Sequence, residues 1–425
     1  MKVLLSAYAC EPDKGSEPGV GWNLSRALAA RCDVWVLTRE SNRNAIERAL
    51  VAHPVPRLRF AYFDLPRSLR FWKAGQRGVR LYYFLWQVGA LAVARRLHRE
   101  VGFDLVHHVT FVKFWTPSFL PLLGIPFIWG PVGGADVTPW RFLPSLGVRG
   151  CLYELARFAA VAAADLDPLL RMTARRSALA LATTPATAAR LSGLGARRVE
   201  QMPEVALTER ERAAFGPPQP TSATGIRILS IGRLLPFKGI HLALRAFARA
   251  GLADAEYWLV GDGPDRRRLE RLARRLAIDS RVQLLGSVSR AEALELLKRC
   301  DLVLHTSLHE SGGWVCVEAM AAGKPVICLD VAGPATQVTS STGLRIPALT
   351  PQATVAAIAA ALSSLVGDPN MRRSMGVAGQ SHIREGFDWE ARAARLLDRY
   401  ATVLSSTSES QSAIRGVPFL AQTRE

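Results

Sequence analysis

Short apolar runs recur along the chain and alternate with stretches in which apolar positions return at helical period. In the first half, Lys2–Tyr8, Asp33–Thr38, Phe103–Thr110, 126–132 and Ala178–Thr184 read as strands, the last of them closing the sheet. In the second half, Ile226–Ile231, Tyr257–Val260, Val282–Val288, Leu302–His305 and Pro325–Cys328 repeat the pattern. Between them lie amphipathic helices such as Trp22–Ala29, Leu81–Arg96, Ile240–Arg249, 351–366, 370–384 and 389–404. Continuously apolar strands separated by helices are the pattern of parallel sheets covered on both faces. The pattern runs twice, which predicts an α/β protein of two Rossmann-like, doubly wound domains. Residues 1–203 form the first and 225–385 the second. The stretch 204–224, rich in Pro and polar residues, is the linker, and the polar residues 405–425 are expected to be mobile.

Composition sets the broad class. A chain of 425 residues with 49% hydrophobic and 21% charged residues is globular and long enough for two cores. The net charge of +18 is uneven: residues 1–203 hold 27 Lys+Arg against 14 Asp+Glu, so most of the excess is N-terminal. No zinc-finger spacing, RNA-binding signature or helix-turn-helix accompanies it, so nucleic acid is not the expected partner. Between Arg57 and Arg99, ten basic residues stand against one acid, Asp64, interleaved with aromatics such as Phe71, Trp72 and Trp86. Basic residues beside aromatics suit an anionic membrane surface or an anionic lipid-linked substrate, with Arg67, Arg70, Lys73, Arg77 and Arg80 leading. The helix Leu81–Arg96 itself reads as buried. The longest apolar run, Leu81–Ala94, falls short of a membrane span, and the start of the chain is a strand rather than a signal. Six scattered cysteines without a CxxC read as small core residues in a reducing compartment. A cytoplasmic protein, peripheral on the inner face of the membrane, is expected. No feature sets its oligomeric state.

The chemistry gathers at His309-Glu310-Ser311-Gly312-Gly313-Trp314, followed by Glu318 inside the helix that Trp314 begins. Two glycines let the backbone approach a ligand, and the free amides at a helix start favour a diphosphate. Glu310 on the loop and Glu318 in the helix would reach different parts of one elongated ligand. A second loop, Gly232-Arg233-Leu234-Leu235-Pro236-Phe237-Lys238-Gly239, places two cations where they can grip the same anion.

With their flanks, these runs resemble the sugar-nucleotide motif of retaining glycosyltransferases of the two-Rossmann GT-B type, the group-one family with bacterial mannosyl- and glucosyltransferases. Glu310 to Glu318 is the E-x7-E, Gly232 to Gly239 the phosphate loop, and Gly261-Asp262-Gly263-Pro264 a further match; the likeness is strongest over residues 225–347. It implies two domains facing across a cleft, with the donor on the second and the acceptor on the first. The helix 386–404 then crosses back to the first domain. Glu310 would hold donor-sugar hydroxyls and Glu318 the ribose. Gly232, Arg233, Lys238 and the Ser311, Gly312, Gly313 and Trp314 backbone would hold the diphosphate or sugar. Gly312 stands where the family often has an aromatic residue, which alters the sugar end of the pocket.

In the first domain, the loop holding Gly19 is not GxGxxG, which excludes a dinucleotide fingerprint, and the resemblance carries Gly19 to the donor phosphate. His107 and His108 end a strand, and the resemblance places a histidine there beside the acceptor. Either could face the cleft, His108 first, as a catalytic assistant. Gly133 and Gly134 follow another strand on the acceptor side. Asp165-Leu166-Asp167 has the form of a metal-binding DxD but follows a helix rather than a strand, so no metal is expected. The resemblance implies transfer of a sugar from a nucleoside-diphosphate donor with retention, metal-independent and without a cofactor. The acceptor is a glycan or lipid-linked saccharide of exopolysaccharide or envelope synthesis. A sugar-nucleotide epimerase of the same fold and a non-catalytic basic membrane-binding protein are the alternatives.

Overall fold

The computed structural model describes residues 1–66, 68, 78–217 and 225–415. Seven strands make a first sheet: β1 Lys2–Ala7, β2 Asp33–Thr38, β3 Leu58–Tyr62, β4 Leu105–Thr110, β5 Phe127–Val132, β6 Leu179–Ala182 and β7 Val199–Gln201. Six make a second: β8 Ile226–Ile231, β9 Ala255–Val260, β10 Val282–Gly286, β11 Leu302–His305, β12 Val326–Leu329 and β13 Gly343–Ile346. Their orders are 3-2-1-4-5-6-7 and 10-9-8-11-12-13, and the paired strands run parallel. Each order reverses once, between β1 and β4 and between β8 and β11. A crevice opens beyond the carboxyl ends of the strands at such a point.

Both faces of the first sheet are covered. Val3 and Leu5 of β1 point into a core shared with Trp22, Leu24 and Leu28, whereas Leu4 points into one shared with Tyr82, Trp86 and Phe114. The C-terminal helix, Trp389–Arg415, lays Trp389, Ala393, Leu396, Tyr400 and Val403 into the first of these cores. It therefore crosses back onto the first domain and ties the end of the chain to its beginning.

Several boundaries differ from the sequence reading. The last helix continues past Leu404 into the stretch expected to be mobile, because residues 405–415 contain no Gly or Pro to stop it; residues 416–425 lie outside the described residues. The strand β6 is not the last, since β7 pairs beyond it. The basic stretch after Arg57 begins with the edge strand β3. Arg67, Arg70, Lys73 and Arg77, with Phe71 and Trp72, lie outside the described residues, as do residues 218–224 of the expected linker. The helix Val79–Val101 buries Tyr82, Tyr83 and Trp86 and leaves Leu81, Leu85 and Val88 exposed. Among the described residues, no helix is long and apolar enough to cross a membrane.

Candidate functional site

The loops that follow β8 and β11 flank the reversal point of the second sheet and touch each other. Gly239, at φ 67°, lies so close to the Thr306 carbonyl that a Cβ there would collide with it, and the Thr306 hydroxyl donates to the Lys238 carbonyl at 3.0 Å. This contact holds Lys238 against the second loop. Its Nζ donates to Glu310 Oε2 at 2.6 Å, and His305 Nε2 lies 2.9 Å from the same oxygen. Burial alone would raise the Glu310 carboxyl, but His305 and Lys238 beside it hold it well below the usual carboxylate range. Glu310 is thus an ionised acceptor. The guanidinium of Arg233, exposed on the first loop, has no hydrogen-bond or ion-pair partner among the described residues.

The second loop is held close against its neighbours, with Gly312 and Gly313 both buried. Gly313, at φ 58°, caps the helix Trp314–Ala321, and a Cβ there would crowd Gln337 at 2.6 Å. Gln337 donates to the Gly312 carbonyl, and the Gly333 amide donates to the Glu310 carbonyl at 2.7 Å. The loop is therefore pinned from behind. Trp314 packs its ring against apolar residues of both domains, so its amide, not its side chain, is what the loop offers. Glu318, nearly buried, accepts from Arg290 at 2.7 Å, and the same guanidinium donates to Glu211 at 3.0 Å. Burial pushes the Glu318 carboxyl up, with Arg290 opposing. Gly15 of the first domain lies against that guanidinium.

Across the cleft, Gly133 and Gly134 meet Ser311. The Gly134 amide donates to Ser311 Oγ at 2.8 Å, and a Cβ on Gly133 would stand 2.7 Å from that oxygen. The predicted acceptor-side glycines and the predicted donor loop thus form one contact. A second interdomain pair joins His309 Nε2 to Glu154 at 3.0 Å, with Thr138 donating to the other carboxylate oxygen and Phe237 stacked on the imidazole.

The histidine reading is corrected. His107 and His108 are 0% and 1% exposed and neither reaches the cleft. The Tyr400 hydroxyl lies 2.6 Å from His107 Nδ1, and His107 Nε2 donates to the Gly130 carbonyl at 2.7 Å. His108 Nε2 meets Tyr83 at 2.8 Å and Gln87 at 3.2 Å. Burial depresses both, His107 to about 4 and His108 to about 3, the second also by the first. Adjacent residues on a strand face opposite sides of the sheet, and here a helix covers each side.

Gly19 lies inside the first helix. The first helix starts at Ser16, not Trp22, because Pro18 fits a first helical turn. A Cβ on Gly19 would strike the Lys14 carbonyl, so close packing explains this glycine without a ligand. In the DxD stretch, Asp165 pairs with Arg190 at 2.7 Å and Asp167 caps the helix Pro168–Arg175.

Glu204, counted as linker from the sequence, was missed. Its carboxylate fills the space a side chain at Gly312 would need, and it has no hydrogen-bond partner among the described residues. Burial, then Glu17 and Glu310, push it up to about 8, against Lys113 and Arg392. Glu17 accepts from the Phe111 amide at 3.0 Å. No local signal marks Glu204; only the fold brings it to Gly312.

Comparison with known proteins bears on this geometry. Residues 216–382 match the family model described as glycosyl transferases group 1. The second domain is thus similar to group 1 glycosyl transferases. It is 31% identical over 208 residues to a D-inositol 3-phosphate glycosyltransferase of Corynebacterium glutamicum, covering 47% of this chain and 48% of that one. It is 31% identical over 223 residues to the lipopolysaccharide core biosynthesis glycosyltransferase LpsD of Rhizobium meliloti, covering 51% and 62%. The chain thus spans about half the length of the curated relatives it matches. Sucrose-phosphate synthase from Thermosynechococcus elongatus superposes with a TM-score of 0.65 at 19% identity, over 95% of this chain and 99% of that one. The Anabaena HepE complex with UDP-glucose gives 0.55 at 18%, over 94% and 100%. The chain has the GT-B fold of these structures.

Proposed function

We propose that the protein transfers a glycosyl group from a nucleoside-diphosphate sugar to a glycan or lipid-linked acceptor, with retention and without a metal. The observation that carries this reading is the joining of the 232–239 loop, where Arg233 and Lys238 line one hollow with His305, to Glu310 of the 310–314 loop where the second sheet reverses. Those groups present two cations and a row of donors to an anion, next to one ionised carboxylate. In the reaction, the bond from the anomeric carbon to the diphosphate oxygen breaks as the acceptor hydroxyl oxygen bonds to that carbon on the same face. The acceptor proton passes to the departing phosphate, giving the glycoside and a nucleoside diphosphate. Arg233, Lys238 and the loop amides stabilise the charge on the departing group, where preorganised donors contribute most. Glu310 orients sugar hydroxyls and Glu318 the ribose. The UDP-glucose complex of the HepE structure and the names of the curated relatives support a nucleotide-sugar donor and an envelope-type acceptor.

An anionic membrane surface is the proposed place of work. Supporting it, Trp140, Val148 and Leu152 are 71%, 78% and 62% exposed beside Arg141 and Arg149. A cytoplasmic, peripheral location follows from that reading. The test is incubation with a panel of UDP-, GDP- and ADP-sugars. Release of nucleoside diphosphate that requires an acceptor supports transfer, whereas an epimerised donor without acceptor replaces it with epimerase chemistry.

A further inference from the structure

A cavity of about 710 Å³ lies between the helix Gly147–Ala164 of the first domain and the 233–237 loop and helix Arg266–Arg275 of the second. Its walls combine two chemistries. Val148, Tyr153 and Phe237 give it an apolar side, and Tyr153 and Phe237 are stacked with centroids 6.3 Å apart. Five arginines, Arg149, Arg233, Arg267, Arg268 and Arg271, line it as well.

These arginines are not equivalent. Arg268 is engaged by the protein: it donates to the Ser145 and Leu146 carbonyls at 2.5 and 3.0 Å and pairs with Asp265 at 3.3 Å. Arg149 and Arg267, one from each domain, are exposed, and their guanidinium groups have no hydrogen-bond or ion-pair partner among the described residues. Of the two carboxylates lining the cavity, Asp265 pairs with Arg268, and Glu154 is hydrogen-bonded to His309 and Thr138; five arginines stand against them. The cavity therefore carries uncompensated positive charge against an apolar wall, and it shares Arg233 and Phe237 with the phosphate loop.

We propose that this cavity binds a phosphate-bearing amphiphile, with Arg149 and Arg267 on the phosphate and Val148, Tyr153 and Phe237 along its apolar part. The proposal rests on the glycosyltransferase reading only in naming that ligand the acceptor. A molecule seated there lies beside the group that leaves the donor. Guanidinium pairs suit phosphate oxygens, and an apolar wall discriminates a tailed phosphate from a free one. The bridging of both domains also means that the site is complete only when they are together.

The test titrates octyl phosphate, below its micelle concentration, into the full chain, with inorganic phosphate and octyl glucoside as separate arms. Octyl phosphate is expected to bind at least tenfold tighter than inorganic phosphate, and octyl glucoside not to saturate. Arg149→Gln with Arg267→Gln should weaken octyl phosphate at least tenfold, leaving thermal stability and nucleoside-diphosphate affinity within twofold. Equal affinity for inorganic phosphate would reduce the site to a bare anion site and overturn the proposal. So would a double variant that binds octyl phosphate as the unaltered chain does, or one that loses nucleotide in parallel. No donor sugar is present, so the result stands whether or not transfer is observed.

Discussion

Lys238 Nζ and Glu310 Oε2 stand 2.6 Å apart, joining the loop after β8 to the loop after β11. Each satisfies the other in the free protein, and a diphosphate sugar would divide them, phosphate to the cation and hydroxyls to the carboxylate. Paired groups of this kind hold a site in shape before its ligand arrives, because both rotamers are already fixed.

Glu310→Gln keeps the shape and removes the charge. Glycosyl transfer should fall by about 10²-fold, the loss typical of one preorganised polar contact, while nucleoside-diphosphate affinity stays within a few fold because Lys238 remains. Steady-state transfer rates with parallel calorimetric titration check this. Unchanged transfer would remove Glu310 from the site.

His107 is a structural residue, and His107→Phe should show it. The change leaves the Tyr400 hydroxyl and the Gly130 carbonyl unpaired in a buried place, at a cost of about 1–3 kcal/mol. Thermal unfolding should drop by several degrees with nucleotide affinity unaltered. A variant that unfolds normally but transfers poorly would restore an acceptor-side role.

Glu204 predicts a pH dependence. Its carboxyl is raised from 4.5 to about 8, so the folded state holds a proton that the unfolded chain releases, and stability falls as pH rises between those values. The slope is on the order of 1 kcal/mol per pH unit, one proton's difference between the two states. Glu204→Gln should flatten it, read by thermal unfolding from pH 5 to 8. A matching contact test is Gly312→Ala, which should weaken donor binding and be relieved by adding Glu204→Ser. If the second change gives no relief, the two residues are not coupled.

Much of this architecture was legible because its signals are local. Leu302–His305 and Ile226–Ile231 are apolar runs whose lengths match the strands observed, and Gly239 and Gly313 mark turns that only glycine makes easily. What escaped depends on contacts between distant residues. Whether His107 or His108 faced the cleft turned on Tyr400, 293 residues away from His107. The Gly19 stretch read as a loop, but Pro18 sits in the first turn of a helix that begins at Ser16. β3 and β7 were too short or too charged to show a strand period, and Glu204 gained its place only when the second domain set Gly312 beside it.

The central claim is that phosphate groups dock where Arg233 and Lys238 meet the 311–314 loop. Calorimetric titration of UDP and GDP, and of uridine and guanosine, into the unaltered chain and Lys238→Ala measures it most directly. The account predicts at least a tenfold loss for whichever diphosphate binds, deepened because Glu310 then keeps only His305 beside it, with the nucleoside changed less than twofold. Equal losses for diphosphate and nucleoside, or no loss for either, would contradict it.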